Sequence, residues 1–396
     1  LLSQLTGQTL PWGNLTGIRP TKIAMGLIES GMSNAQAAEY MRNTYFTSKE
    51  KTALAITIAN RERELLKDID YEKGYSLYVG IPFCPSICLY CSFSSSPLQR
   101  WKDQVDAYLD ALLKELDFIS EAMKDRTLDT IYIGGGTPTT LEPEQLERLL
   151  GHINARFQVY QVKEYTVEAG RPDSITREKL QAIRKFPVTR ISVNPQTMNQ
   201  ATLELIGRRH TVEDTRHAFA LARECGFDNI NMDIIVGLPG EQKEDVQHTL
   251  EEIKKLDPDS LTVHSLAVKR AARLNMFKEQ YEEMEFINNQ EIMDMAMKYA
   301  YQCQMGPYYL YRQKNMCGNL ENIGYAKVDK AGIYNILIME EKQSILAAGA
   351  GASTKFVFQN GKRIERAENV KDVANYISRI DEMIERKRTG IDTWLK

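Results

Sequence analysis

An excess of charge of either sign is missing from this chain. Fifty Lys and Arg stand against 53 Asp and Glu, a formal net charge of −3 over 396 residues. A surface built for a polyanion carries a basic excess, so nucleic acid is not an expected partner. Long apolar runs are missing as well. Ile345 to Ala352 is Gly-rich and falls well short of the ~18–20 residues that cross a bilayer, and no membrane span is expected. The opening Leu-Leu-Ser-Gln has no initiator Met and no charged-then-apolar signal pattern, which predicts a true N-terminus upstream. Cysteine is scarce: six occur, at 84, 88, 91, 225, 303 and 317. Three packed together and three scattered make a poor disulfide framework in a chain this long, so a reducing, cytoplasmic location is expected. Cys225, Cys303 and Cys317 read as plain buried thiols.

What is present is enough apolar material, 43% of residues, for a sizeable core. Residues 1–73 read as helical, with good helix formers over Ala35–Met41 and Thr52–Leu66. The motif Thr16-Gly-Ile-Arg-Pro-Thr-Lys22 reads either as a turn and helix cap or as a contact to the rest of the chain. From residue 74 to 266, short apolar runs alternate with amphipathic helices. The expected strands are Ser76–Gly80, Thr130–Gly134, Glu164–Glu168, Thr189–Val193, Asn229–Val236 and Leu261–Ser265. Among the helices, Gln104–Ser120 repeats Val105, Tyr108, Leu109, Leu112, Leu116 and Ile119 at helical spacing. Six strand–helix alternations predict an α/β fold with a parallel sheet, as a partial barrel or an open doubly wound sheet. Function should gather at the strand ends. Residues 267–396 predict a smaller α+β domain that lids the first. It would comprise a long helix over Asn275–Cys303, strand-like runs at Tyr308–Tyr311, Tyr334–Met339, Ser344–Ala348 and Lys355–Phe358, and a last helix over Val373–Arg386.

The chemistry centres on Tyr78-Val-Gly-Ile-Pro-Phe-Cys84-Pro-Ser-Ile-Cys88-Leu-Tyr90-Cys91-Ser-Phe93, directly after the first strand. Pro82 and Pro85 keep its first half out of regular helix, so three thiolates share one short loop. A cubane cluster normally takes four thiolates. Three leave one iron open, as substrate chemistry requires. Structural zinc prefers a closed set of four ligands, and no fourth stands nearby: position 80 is Gly, and the nearest His is His152. Cys84, Cys88 and Cys91 are therefore the expected ligands of an iron–sulfur cluster.

The C-x3-C-x-aromatic-C pattern resembles the radical S-adenosylmethionine superfamily. The wider Y-x-G-x-P-F-C-x3-C-x-Y-C frame resembles the oxygen-independent coproporphyrinogen III oxidase (coproporphyrinogen dehydrogenase) family, more narrowly its HemZ-type branch. The resemblance covers about residues 75–360 and implies a partial (β/α)6 barrel, a [4Fe–4S] cluster and S-adenosyl-L-methionine as cofactors. An electron donor such as flavodoxin or ferredoxin is implied as well.

Downstream residues fit a cofactor site. Gly134-Gly135-Gly136-Thr137-Pro138 ends the second strand; it lacks the Lys of a phosphate loop, and a tight strand–helix turn without a ligand is the lesser alternative. By resemblance it holds the methionine amino group. Glu168 places a carboxylate at a strand end, suited to a cationic cofactor. Gln196 suits a ribose, and Arg208 suits the methionine carboxylate through a bidentate fork. Asp233 lies within a strand, where an unpaired charge would be costly. The resemblance adds Tyr78, Gly135, Gly136, Thr137 and Ala267 as cofactor contacts and puts Tyr90 near the adenine. His210 reads as packing or capping.

The resemblance further implies that reductive cleavage of S-adenosylmethionine yields a 5′-deoxyadenosyl radical. This takes hydrogen from a propionate of coproporphyrinogen III, and loss of carbon dioxide and one electron leaves a vinyl group. Lys269, Arg270, Arg273, Arg312 and Lys314 are candidate partners for the propionates, and Tyr308, Tyr309 and Tyr311 candidates for the ring. Two positions depart from the oxidase pattern: Phe93 replaces a fourth Cys, and Gly80 replaces a His. Phe93 is the type found in related haem chaperones, so a haem-binding delivery protein is one alternative. A radical methyltransferase is another.

Overall fold

The computed structural model describes the chain except residues 1–4, 6, 8–9, 16, 18, 94, 271, 277, 282–283, 315 and 396. It opens with three helices, α1 (Pro20–Glu29), α2 (Asn34–Tyr45) and α3 (Lys49–Leu65). Each start has a local cause. Pro20 occupies the first turn of α1, the Ser33 and Gln36 side chains form a capping box, and Ser48 caps Lys51 N–H. Thr16 and Ile18 lie outside the described residues. The rest of their motif both starts α1 and contacts the C-terminal region, through an Arg19–Glu341 ion pair.

Six parallel strands follow: β1 (Gly74–Ile81), β2 (Thr127–Gly135), β3 (Glu164–Gly170), β4 (Arg190–Val193), β5 (Ile230–Val236) and β6 (Ser260–Ser265). Their near-continuous burial is that of parallel strands covered on both faces. The crossover helices are α4 (Val105–Ala122), α5 (Pro143–Arg156), α6 (Arg177–Arg184), α7 (Val212–Glu224) and α8 (Lys243–Leu256). All six apolar residues expected to repeat along α4 are buried.

The rest of the chain adds α9 (Gln290–Gln302), β7 (Gly306–Tyr311), β8 (Asn322–Ala326), α10 (Ile333–Glu340), β9 (Ser344–Ala348), β10 (Ser353–Phe358), β11 (Arg363–Glu368), α11 (Val373–Ser378) and α12 (Ile380–Trp394). Its strands extend the barrel sheet at both edges. The order is β11-β10-β9-β1-β2-β3-β4-β5-β6-β8-β7, with β9 parallel to β1 and β8 antiparallel to β6.

Three expectations fail. Tyr334–Met339 is helical, because the Glu164 carboxylate on β3 accepts the Ile333 and Tyr334 N–H groups and caps α10 from 169 residues away. The single long helix expected over Asn275–Cys303 is broken: short turns at Arg273–Met276 and Lys278–Tyr281 precede α9, which begins at Gln290, where Asn289 accepts from Ile292 N–H at 3.0 Å. Just before α9, Glu285 and Phe286 lie outside any helix, their carbonyls accepting from Gly240 N–H and Cys317 Sγ. Phe277, Glu282 and Glu283 of that segment lie outside the described residues. The final helix is two, α11 and α12.

Candidate active site

The C-terminal ends of the barrel strands surround a cavity of about 260 Å3. Cys84, Cys88 and Cys91 line one wall: the first two are buried and the third half-buried. Their loop is pinned at several points. Leu89 N–H reaches Ile206 O at 3.0 Å, Leu274 N–H reaches Leu89 O at 2.9 Å, and Ser86 Oγ donates to Gly207 O at 3.0 Å. Beneath the loop the glycine run is a steric requirement. A Cβ on Gly136 would stand 2.5 Å from Phe83 O and 2.9 Å from Cys84 Sγ. Gly135 has φ +111°, a conformation side chains resist. Thr137 Oγ1 points at Cys84 Sγ from 3.6 Å. Burial pushes the Cys84 thiol up to about 11, so binding a metal there releases a proton.

The remaining walls are polar and in part unpartnered. Asn194 Oδ1, Gln196 Oε1 and Arg208 Nε are buried with no hydrogen bond among the described residues, and all three residues line this cavity. Buried polar atoms are normally paired, so this set fits a polar ligand. Gln196 holds φ +70°, uncommon outside glycine and frequent at functional sites. It is locked there by N–H to Asp233 O at 3.0 Å and by Ile235 N–H to its own carbonyl at 2.9 Å. Arg208 reaches Asn194 O at 2.5 Å and the Tyr90 hydroxyl at 3.2 Å. Glu168 accepts from the Tyr132 hydroxyl, and burial pushes its carboxyl up to about 7. Burial also pushes Asp233 up, but His264, Asn231 at 2.7 Å and Thr262 outweigh it and hold that carboxyl below its ordinary value.

Twelve of the thirteen expected site residues line this one cavity: the three cysteines, Tyr90, Gly135, Gly136, Thr137, Glu168, Gln196, Arg208, Asp233 and Ala267. Tyr78 does not. It faces a second chamber of about 690 Å3 that shares a wall containing Phe93, Glu168, Asp233, His264 and Lys269. In that chamber Tyr78, Tyr132 and Tyr334 stack, with centroids 4.5 to 6.4 Å apart. Tyr309 and Tyr311 enter it from β7, stacked at 6.2 Å. The two departures from the oxidase pattern, Gly80 and Phe93, both line it.

Sequence reasoning passed over Arg171, whose Nη1 donates to Ser86 O at 3.1 Å and lies 3.7 Å from Cys88 Sγ while Asp173 holds the rest of its fork. It also passed over Asn194 and His264. The signal was the position of each at or just past a strand end. Arg312 is no substrate cation: it is buried on Leu15 O and Asn319. Arg270 and Lys314 are exposed outside both cavities, and Tyr308 is buried outside them. Of the expected cations, Lys269 alone lines the chamber. His210 is buried, and burial holds it neutral, its value lowered to about 4.

The radical SAM superfamily model matches residues 78–253. A Bacillus subtilis oxygen-independent coproporphyrinogen-III oxidase-like protein, HemZ, is 42% identical over 98% of this chain and 78% of its own length. The chain belongs to the radical SAM superfamily, in its HemZ-type branch. Membership brings a [4Fe–4S] cluster and S-adenosylmethionine as cofactors. A Bacillus subtilis heme chaperone, HemW, is 40% identical over 49% of the chain, which spans about half (51%) of that relative. The radical SAM fold itself matches the solved coproporphyrinogen III oxidase HemN of Escherichia coli, with TM-score 0.63 and 23% identity, covering 81% of this chain and 73% of that one. Among the described residues no helix is long and apolar enough to cross a membrane.

Proposed function

We propose that this radical SAM chain oxidatively decarboxylates propionates of coproporphyrinogen III to vinyl groups, in haem biosynthesis. The observation that carries the reading is the second chamber. It is within the size range of organic-ligand sites, tyrosines line it, and it abuts the cofactor cavity along one wall. Arg190, Lys269 and Lys371 bring cations to that chamber for the substrate carboxylates. Cys84, Cys88 and Cys91 would hold the cluster, leaving one iron without a protein ligand. The orphaned atoms of Asn194, Gln196 and Arg208 would take the polar groups of S-adenosylmethionine. When bound and reduced, these cofactors supply a carbon radical that removes a hydrogen atom. The protein orients them, keeps water from the shared wall, and presents the substrate side chain there. An electron donor such as flavodoxin or ferredoxin would serve the cluster. Residues 74–266 would form the catalytic barrel, and residues 267–396 would close the chamber.

The deciding assay is anaerobic, with reconstituted cluster, reductant, S-adenosylmethionine and coproporphyrinogen III. Deoxyadenosine with mono- and divinyl products is the expected result. A second reading, haem delivery, is favoured by Phe93, which is 75% exposed at the chamber mouth, and by the likeness to HemW. Stoichiometric haem uptake without porphyrinogen turnover would replace the first reading with the second.

Glu168 gives a pH prediction. Its carboxylate form favours a bound cation, so S-adenosylmethionine affinity should rise as pH increases through about 7. The Glu168→Gln variant should bind about tenfold more weakly at pH 8 and lose the pH dependence. Equilibrium binding at pH 6 and pH 8 checks this, and an unchanged profile in the variant would remove Glu168 from the site.

A further inference from the structure

The floor of the larger chamber holds a cation that the cofactor site leaves unused. Arg190 opens β4, and its side chain lines the chamber while being only 2% exposed. Buried charges are normally paired. Several buried cations elsewhere in this chain are: Lys51 faces Glu321, Arg171 faces Asp173, and Lys387 faces Glu115. Arg190 has no carboxylate within salt-bridge distance among the described residues. Its one hydrogen bond there runs from Nη2 to Ser260 Oγ at 2.9 Å, and Nε has no partner. Asp233 and Glu164 favour its charge from beyond ion-pair distance, and Glu164 is engaged elsewhere. Its oxygens take the Thr166 hydroxyl at 2.8 Å and the N-terminal N–H groups of α10.

A second unsatisfied group points the same way. Ser192, two residues on and so on the same face of β4, lines the chamber, and its buried Oγ also lacks a partner. Register places Arg190 opposite Thr166 and Ser192 opposite Glu168. The guanidinium is therefore rooted about 7 Å, one pleat repeat, below the wall shared with the cofactor cavity. A floor made of a fork-shaped cation and a free hydroxyl is complementary to a carboxylate.

We propose that Arg190, with Ser192 beside it, is the anchor for a substrate carboxylate at the floor of the chamber, holding one propionate low while another reaches the cofactor wall. The assignment rests on the reading of this chamber as a tetrapyrrole site, and it makes Arg190 a specificity residue that touches substrate without touching the reacting carbon.

Two titrations of the cluster-loaded full chain test it. In the first, coproporphyrin III and its tetramethyl ester are titrated against tyrosine fluorescence. The free acid should bind wild type, and Arg190→Gln should weaken it about 10- to 100-fold while leaving the ester unchanged. In the second, sodium propionate is compared with sodium chloride at matched ionic strength. Propionate should raise the melting temperature of wild type and not of R190Q. Arg190→Lys, which keeps the charge without the fork, should fall between the two and serves if R190Q does not fold with its cluster. Equal binding of coproporphyrin III by wild type and by the folded variants overturns the anchor while leaving the tetrapyrrole reading intact. Arg190-dependent stabilisation by propionate without coproporphyrin III binding keeps the anchor and overturns the tetrapyrrole. Absence of both effects in wild type overturns the anchor.

Discussion

Cys88→Ala should lose its iron–sulfur absorption and its S-adenosylmethionine cleavage together, with activity below about one-thousandth of wild type. Two thiolates cannot hold a cubane that already lacks a fourth protein ligand. The loop gives no substitute, because no His, Asp or Glu falls between Tyr78 and Phe93. Cys225→Ala is the matched control: Cys225 ends α7 away from both cavities and should change neither property. Gly136→Ala should behave as a weaker form of Cys88→Ala, since the added methyl meets Phe83 O and Cys84 Sγ inside contact distance and must push the loop outward. Gly151→Ala makes the contrast within the same barrel. It sits in α5, where a Cβ meets only the Phe186 ring at 3.7 Å, so the change should stabilise the helix by about 1 kcal/mol and leave the cluster alone. Iron and sulfide content per chain, measured with deoxyadenosine formation, checks all four variants. Full iron content with wild-type cleavage in Cys88→Ala would mean that the cluster is held elsewhere.

The barrel and most of the cofactor cavity were legible in the sequence because local rules govern them. Each barrel strand is a short apolar run, the glycines close one such strand, and the cysteines and Gln196 come shortly after others. A strand end is where a parallel α/β sheet exposes side chains to a ligand. What stayed hidden depends on contacts between distant residues. The helix at Ile333–Glu340 looks like a strand until Glu164 is seen capping it. Arg312 looks like a free cation until Leu15 O is seen accepting from it, 297 residues away. Tyr78 follows the family frame, yet its alternation on β1 turns it into the chamber with Tyr132 and Tyr334. Arg190 was passed over because a charged residue opening a strand looks like an edge residue until the sheet is built around it.

The same long-range logic predicts how this chain responds to pH. Glu62 on α3 and Glu340 at the end of α10 are 0% and 1% exposed, and among the described residues none of their four carboxylate oxygens has a hydrogen-bond partner. Burial, then the charge of Glu340, holds Glu62 well above the ordinary carboxyl range; Lys342 opposes this only in part. Burial raises Glu340 too, against Lys342, Lys22 and Arg19, with Glu29 adding to the rise. Two of those cations are engaged elsewhere: Lys342 with Glu29 and Arg19 with Glu341. A group whose folded value lies above its unfolded one stabilises the fold fully only below the unfolded value, about 4.3 for Glu. Above that, the folded state binds more protons than the unfolded chain, and stability falls as pH rises through the folded value. Glu62→Gln keeps the shape, stays neutral throughout and offers Glu340 an N–H donor. It should therefore stabilise the chain by about 1–3 kcal/mol at pH 8 and by almost nothing at pH 4. That corresponds to a rise of several degrees in the first melting transition at the higher pH. Melting wild type and the variant across that range reads out the difference directly. Parallel pH curves for the two proteins would show that the pair is already neutralised by a partner. A gap that widens with pH would identify the seam between the N-terminal helices and α10 as the part of the fold that alkali loosens first.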